Sequence, residues 1–177
     1  PVVRVSSATG EGIDELKRVL LETLPRVAER KDDGRVFRMP VLRGFLVPGR
    51  GAVVTGVPIS GRVVEGDRVE ILPPHWTGRV RGIQVHGSDA KEATVGHRAA
   101  LALSDIDVVE LKRGMVVVGA GVLEPARRLV VEARVLPDAK NPLEHGHRVR
   151  LHVGASRVIA QVHLPARKPI APGATGL

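Results

Sequence analysis

The sequence predicts a mainly β protein: an antiparallel β-barrel, then a partial second β-barrel, with one β-α unit ahead of both. Three observations predict it. Val36 to Leu72, VFRMPVLRGFLVPGRGAVVTGVPISGRVVEGDRVEIL, holds four short apolar runs separated by Pro-Gly-Arg-Gly, Ile-Ser-Gly and Glu-Gly-Asp. Its Val53-Val54, Val63-Val64, Val69 and Ile71 are β-branched, and glycine or proline bounds each run, as a meander with tight turns requires. Further β-runs come at short, even spacing, which is the pattern of a small barrel. The only long helical periodicity lies near the start, where Ile13, Leu16, Leu20, Leu24 and Val27 make one apolar stripe.

Taken in order, Pro1 to Val5 (PVVRV) reads as a short buried strand and Ser6 to Gly12 as a loop. A helix is expected from Ile13 to about Ala28. Glu11, Asp14 and Glu15 lie in its first turn and Arg26 near its end, which suits the helix dipole. One strand and one helix cannot bury both faces alone, so this piece reads as the last βα unit of a larger α/β domain. Glu29 to Arg35 (ERKDDGR) is charged, carries a glycine and has no apolar residue, which makes it a linker.

After the meander, Gly78 to His86 (GRVRGIQVH) is a strand whose step from Val80 to Ile83 breaks alternation, so a bulge is expected near Gly82. Gly87 to Val95 reads as a loop, Arg98 to Leu103 and Gly114 to Val118 as strands, and Asp105 to Arg113 as their connection. Gly119 to Pro125 is a second connector. Arg128 to Leu136, Arg148 to Val153 and Val158 to Leu164 are three more strands, and Pro165 to Leu177 is a Pro-, Gly- and Ala-rich tail. Three strands leave open edges, so the second barrel is expected to be cut short. The expected domains are 1–30, a linker at 31–35, 36–119 and 120–177.

Composition excludes several functions. The chain has no cysteine, which removes disulfides, thiolate metal sites and cysteine nucleophiles. A hydrophobic fraction of 43% is globular, and no stretch approaches the ~20 unbroken apolar residues of a membrane helix. The chain opens without a charged leader, so no signal peptide is expected and a cytoplasmic location fits. The 27 Lys and Arg against 19 acidic residues give a net charge of +8, which favours polyanionic partners. Only 2% of residues are aromatic, so nucleic acid would be met through backbone and shape and not through base stacking.

No GxxxxGKS/T occurs, and Gly49-Arg50-Gly51 lies between two strands, where a hairpin turn is the better account. His145 and His147 could share a strand face, but an HxH with no third ligand at fixed spacing points to no metal. No nucleophile elbow is present. The carboxylates are expected to pair with arginines along the strands. Arg43 and Arg98 stand among apolar or small residues (VLRGF, GHRAA), so each needs a partner, either an internal carboxylate or a bound anion.

The motifs FxxP…GxGxVVTG, SGxVxxGDxVEIL, VRGIQVHG, AxxGHRxAL and LKRGMVV resemble, in order, domain II of translational GTPases of the elongation factor Tu class. GIQVHG and RVRLHVGASRVIAQV are closer to the selenocysteine-specific branch, and SSATGEGIDEL resembles the last guanine-binding loop and final helix of the preceding GTPase domain. The resemblance implies delivery of selenocysteinyl-tRNA to the ribosome, with GTP and Mg bound by the whole factor and no cofactor within this chain. It implies recognition of an mRNA hairpin by further C-terminal domains, no membrane partner, and no GTP hydrolysis by this chain alone. It also implies a guanine-binding loop at Ser6, Ser7 and Ala8, and an aminoacyl pocket at Leu42, Arg43, Phe45 and Arg98. Leu42 stands where the family carries an acidic residue, which leaves the amino-acid specificity open. The alternatives are another translational GTPase of this class or a non-catalytic β-barrel interaction module.

Overall fold

The structure, a computed structural model, describes residues 2–27, 34–48, 51–106 and 111–176. It divides into two compact units, Pro1–Lys31 and Asp32–Leu177.

In the first unit, residues 2–5 take no regular structure and pair with no strand among the described residues, and Val2 is 97% exposed. The expected buried strand therefore does not form there, because a strand exists only as a ladder with a neighbour. The adjoining loop is closed by Gly10 N–H to Ser6 O (2.9 Å) and Ser6 N–H to Glu11 O (3.0 Å). Gly12 caps the helix at φ 73, and a β-carbon there would collide with the carbonyl oxygen of Arg4. Helix α1 spans Ile13–Thr23 and passes into a 3₁₀ turn, Leu24–Arg26. It is shorter than the expected Ile13 to Ala28 because Pro25 has no N–H for the next α-helical bond; Ala28 lies outside the described residues. Leu20, Leu24 and Val27 on the apolar stripe are exposed.

The second unit opens with nine described strands: β1 Arg38–Val47, β2 Gly51–Gly56, β3 Val63–Val64, β4 Arg68–Leu72, β5 Trp76–Val85, β6 Ser88–Ala90, β7 Glu92–Ala93, β8 Ala99–Ser104 and β9 Val116–Gly119. Six of them form a ring in the order β4-β9-β1-β2-β8-β5, closed by pairing of β5 with β4, and every pair is antiparallel. Alternate residues point inward. Met39, Val41, Val54, Ile71, Val80, Leu101, Leu103 and Val117 fill the interior and are at most 1% exposed. The expected bulge at Gly82 is present as a register shift between Val80 and Gly82, which makes Arg81 the extra residue. Gly87 to Val95, expected as a loop, contains β6 and β7. These polar pairings run through the backbone with little apolar alternation to announce them. Gly49 and Arg50 lie outside the described residues.

The region after the barrel forms two small sheets: β10 (Ala133–Arg134) with β13 (Thr175–Gly176), and β11 (Arg148–Val153) with β12 (Ser156–Gln161). The expected strand at Arg128 to Leu136 shrinks to two residues, because Leu129, Val130 and Val131 find no partner edge among the described residues and remain exposed. The expected strand at Val158 to Leu164 shifts to Ser156–Gln161, since the turn at Gly154, with φ 56, starts the return two residues earlier. The tail also contributes structure: Thr175–Gly176 forms β13, and Ile170 is buried and bridged to Leu143. The tip of the β11–β12 hairpin lies on the barrel. A β-carbon at Gly114 would come within 2.8 Å of Ser156, and one at Gly154 within 3.4 Å of Pro40.

Glu70 ties the next connector to the barrel. It faces outward from β4 yet is buried, with one oxygen 2.6 Å from His75 Nδ1 and the other accepting the Gly121 N–H at 3.0 Å. The far nitrogen of His75 is 3.5 Å from Glu124. The Gly121 N–H bond, and after it the His75 bond, hold the Glu70 carboxyl below its ordinary value of 4.5, against a desolvation effect that raises it. A carboxyl depressed in the folded state stabilises above its unfolded value, and that stabilisation is lost as pH falls through its folded value. Glu70→Gln is therefore expected to cost about 1–3 kcal/mol near neutrality. It should also flatten the acid limb of stability below the ordinary carboxylate range, as read from urea midpoints between neutral and acidic pH. Parallel acid limbs for the two proteins would contradict the clamp.

Candidate functional site

The outer face of β1, β2, β8 and β5 carries the residues singled out in the sequence. A second register shift, between Val41 and Arg43, makes Leu42 the extra residue of β1. Beyond it Gly44 turns inward against Leu111, and Arg43 and Phe45 turn outward. The ladders then define two transverse rows. The first runs Arg43, Thr55, Ala100, Gln84; the second runs Phe45, Val53, Ala102, Gly82. Arg98 lies one residue before β8 and, by strand alternation, on the face of Ala100. Strand spacing puts the backbones of Arg43 and Arg98 roughly 12 Å apart, within reach of one anion for two extended guanidinium side chains.

Arg43 and Arg98 are exposed, and among the described residues no carboxylate pairs with either. Of the two expected kinds of partner, an internal carboxylate is therefore absent among the described residues: the β1 bulge and the barrel's outward face leave both guanidinium groups in solvent. Of the expected arginine–carboxylate pairs along the strands, one is present among the described residues: Arg62, just before β3, and Glu92 of β7, at 3.8 Å. Asp67, Glu70 and Asp89 instead bond Val64 N–H, Gly121 N–H with His75, and Gln84.

Over the β2, β8 and β5 ends of these rows lies a groove of about 400 Å³. Small residues border it on the strands, Ala100, Ala102 and Gly82 with Val53, while Glu65, Arg81, Gln84 and Asp89 supply polar groups. Gln84 Nε2 donates to Asp89 Oδ1 at 2.9 Å. Thr55 is not among the residues that the sequence motifs single out. It stands between Arg43 and Ala100, and its Oγ1 is buried without a hydrogen-bond partner among the described residues. The outward parity it shares with Val53 in VVTG could have singled it out.

Ser6, Ser7 and Ala8 belong to the first unit. Ser6 Oγ accepts the Thr9 N–H at 3.3 Å, and Ser7 and Ala8 are exposed at the loop's apex. Both histidines of the HxH pair bond backbone: His145 Nδ1 accepts the Leu164 N–H from a distant segment, and His147 Nδ1 accepts the Glu144 N–H within a turn. Among the described residues no cluster of three or more His, Asp or Glu is arranged to hold a metal, and no helix is long and apolar enough to cross a membrane.

Residues 51–118 match the family described as elongation factor Tu domain 2. The chain is 39% identical over its whole length to a selenocysteine-specific elongation factor of Desulfomicrobium baculatum, covering 28% of that protein. It is 30% identical to that of Methanocaldococcus jannaschii, over 91% of the chain and 34% of the relative. Translation elongation factor SelB from Methanococcus maripaludis, solved with the GTP analogue GPPNHP, superposes with a TM-score of 0.73 at 29% identity. The match covers 88% of this chain and 34% of that one. The chain thus spans about a third or less of the length of these relatives. By its barrel residues the chain is similar to the elongation factor Tu class of translation factors. Within that class it is a homologue of the selenocysteine-specific elongation factors.

An unpartnered buried hydroxyl is a local cost that an isosteric methyl removes. Thr55→Val is expected to leave stability unchanged or raise it by up to about 1 kcal/mol in urea denaturation. A clear loss would show that Oγ1 has a partner in solution.

Proposed function

We propose that this chain is part of a GTP-dependent elongation factor that binds selenocysteinyl-tRNA and brings it to the ribosome. Residues 1–30 are read as the end of the GTPase domain, with Ser6, Ser7 and Ala8 in its guanine-binding loop. Residues 36–119 are read as barrel domain II and 120–177 as the first part of barrel domain III, joined to the GTPase end by the linker at 31–35. GTP and Mg would be held by segments outside this chain, and an mRNA hairpin by further domains. The site of action would be the cytoplasm.

The observation that carries the reading is the outward row of Arg43, Thr55 and Ala100, with Arg98 beside it and Phe45 along its edge. A selenol is largely ionised at neutral pH, whereas the serine hydroxyl is neutral. Two guanidinium groups converging on the amino-acid side chain favour the selenolate by charge-assisted contacts that serine cannot make. These contacts strengthen when the docked tRNA end excludes water. The neighbouring groove, with small bordering residues and hydrogen-bonding groups at Gln84 and Asp89, suits the terminal nucleoside of the same tRNA. Strand β11 contributes Arg148, Arg150 and His152 to one face of its hairpin, joined across the ladder by Arg157. That exposed basic face suits a phosphate backbone. Leu42, in place of the acidic neighbour the family resemblance expects, supports a second reading in which the same surface carries another aminoacyl-tRNA.

Arg98→Ala in the complete factor is expected to weaken selenocysteinyl-tRNA at least about ten-fold more than seryl-tRNA in equilibrium binding. Equal losses would reject the pocket. Raising salt from 50 to 200 mM should weaken tRNA binding by more than about ten-fold if several phosphates are neutralised. A flat salt profile would reject the basic face as an RNA contact.

A further inference from the structure

We propose that His86 and His97 form a side-chain staple that positions Arg98, which makes them positioning residues for amino-acid discrimination; this rests on the function proposed above. Regular pairing between β5 and β8 ends at Val85 and Ala99. One more bond continues it, from the His86 N–H to the Arg98 carbonyl at 3.2 Å. His86 then leaves the strand with φ 54, a left-handed conformation uncommon outside glycine. The imidazole meets that of His97, with Nε2 3.2 Å from Nδ1 and the two rings nearly perpendicular at 85°.

One residue therefore holds two successive residues, His97 through its ring and Arg98 through its carbonyl. Ala99, the next residue, is laddered on both sides, to Gly56 and to Val85. The backbone of Arg98 is thus fixed before, at and after the residue. Such an exposed hydrogen bond adds little to global stability. Its effect falls on the guanidinium, whose search volume shrinks when its anchor is fixed, so less ordering is needed when it meets an anion. The staple needs one ring as donor and the other as acceptor, and an amide side chain can take either role.

The test measures binding of selenocysteinyl-tRNA and seryl-tRNA to the complete protein. His86→Leu and His97→Leu should each reduce the preference for selenocysteinyl-tRNA about ten-fold with an unchanged thermal midpoint. His86→Gln and His97→Asn, which restore a group able to donate or accept, should keep most of the preference. Arg98→Ala serves as the control. If Arg98→Ala removes the preference and both leucine variants retain it, the staple is rejected and the pocket stands. If the amide variants lose as much as the leucine variants, hydrogen bonding is not the cause and the staple is rejected. If Arg98→Ala leaves the preference intact, the pocket fails and the staple with it.

Discussion

Closure of the six-stranded ring is the constraint on which the rest of the second unit depends. Strand β4 is only five residues long, yet it pairs with β9 on one edge and β5 on the other. That double pairing removes the free edges of the ring and converts a meander into a barrel with an inside and an outside. At six strands the interior is narrow enough for side chains to fill. Met39, Ile71, Leu101 and Leu103 do so in company with small valines. Once the ring is shut, each outward position has a set row and a set neighbour.

The candidate site is written on that outer face, and both interruptions of regular pairing border it. Bulges add Leu42 to β1 and Arg81 to β5, on the two flanks of the β2–β8 pair. A bulge re-aims the residues after it. On β1 it sends Arg43 and Phe45 outward and Gly44 inward, where a β-carbon would come within 2.6 Å of Leu111. The glycine in VLRGF is therefore demanded by packing inside the barrel, while its neighbours face the proposed ligand surface. A rigid scaffold can in this way carry exposed arginines at defined spacing without burying their charge.

The region after the barrel is held by a different device. The two small sheets beyond Gly119 bury little of their own apolar surface, and Val153, Val158 and Ile159 remain exposed. Their attachment comes from particular contacts. The Glu70 carboxylate holds the Gly121 N–H, and the hairpin tip approaches Pro40 and Gly114 closely. A buried carboxylate satisfied by a backbone N–H and an imidazole is directional where apolar contact is not, so it sets how the connector leaves the barrel.

Local pattern was enough for the mainly β class, the turns and most barrel strands, because β-branched runs between glycines constrain the chain over a few residues. It also determined the bulge near Gly82 and singled out Arg43, Phe45 and Arg98 as candidates, since alternation and motif order are local signals. The lack of a partner for residues 2–5 among the described residues, and the shortening of Arg128 to Leu136, follow from contacts that no local pattern announces. A strand needs a partner, and the partner is chosen far away in the chain. The structure alone also set Thr55 between Arg43 and Ala100, and closed Glu70 on a connector 51 residues later. These contacts join strands remote in sequence, and it is ring closure, a property of all six strands together, that brings them into register.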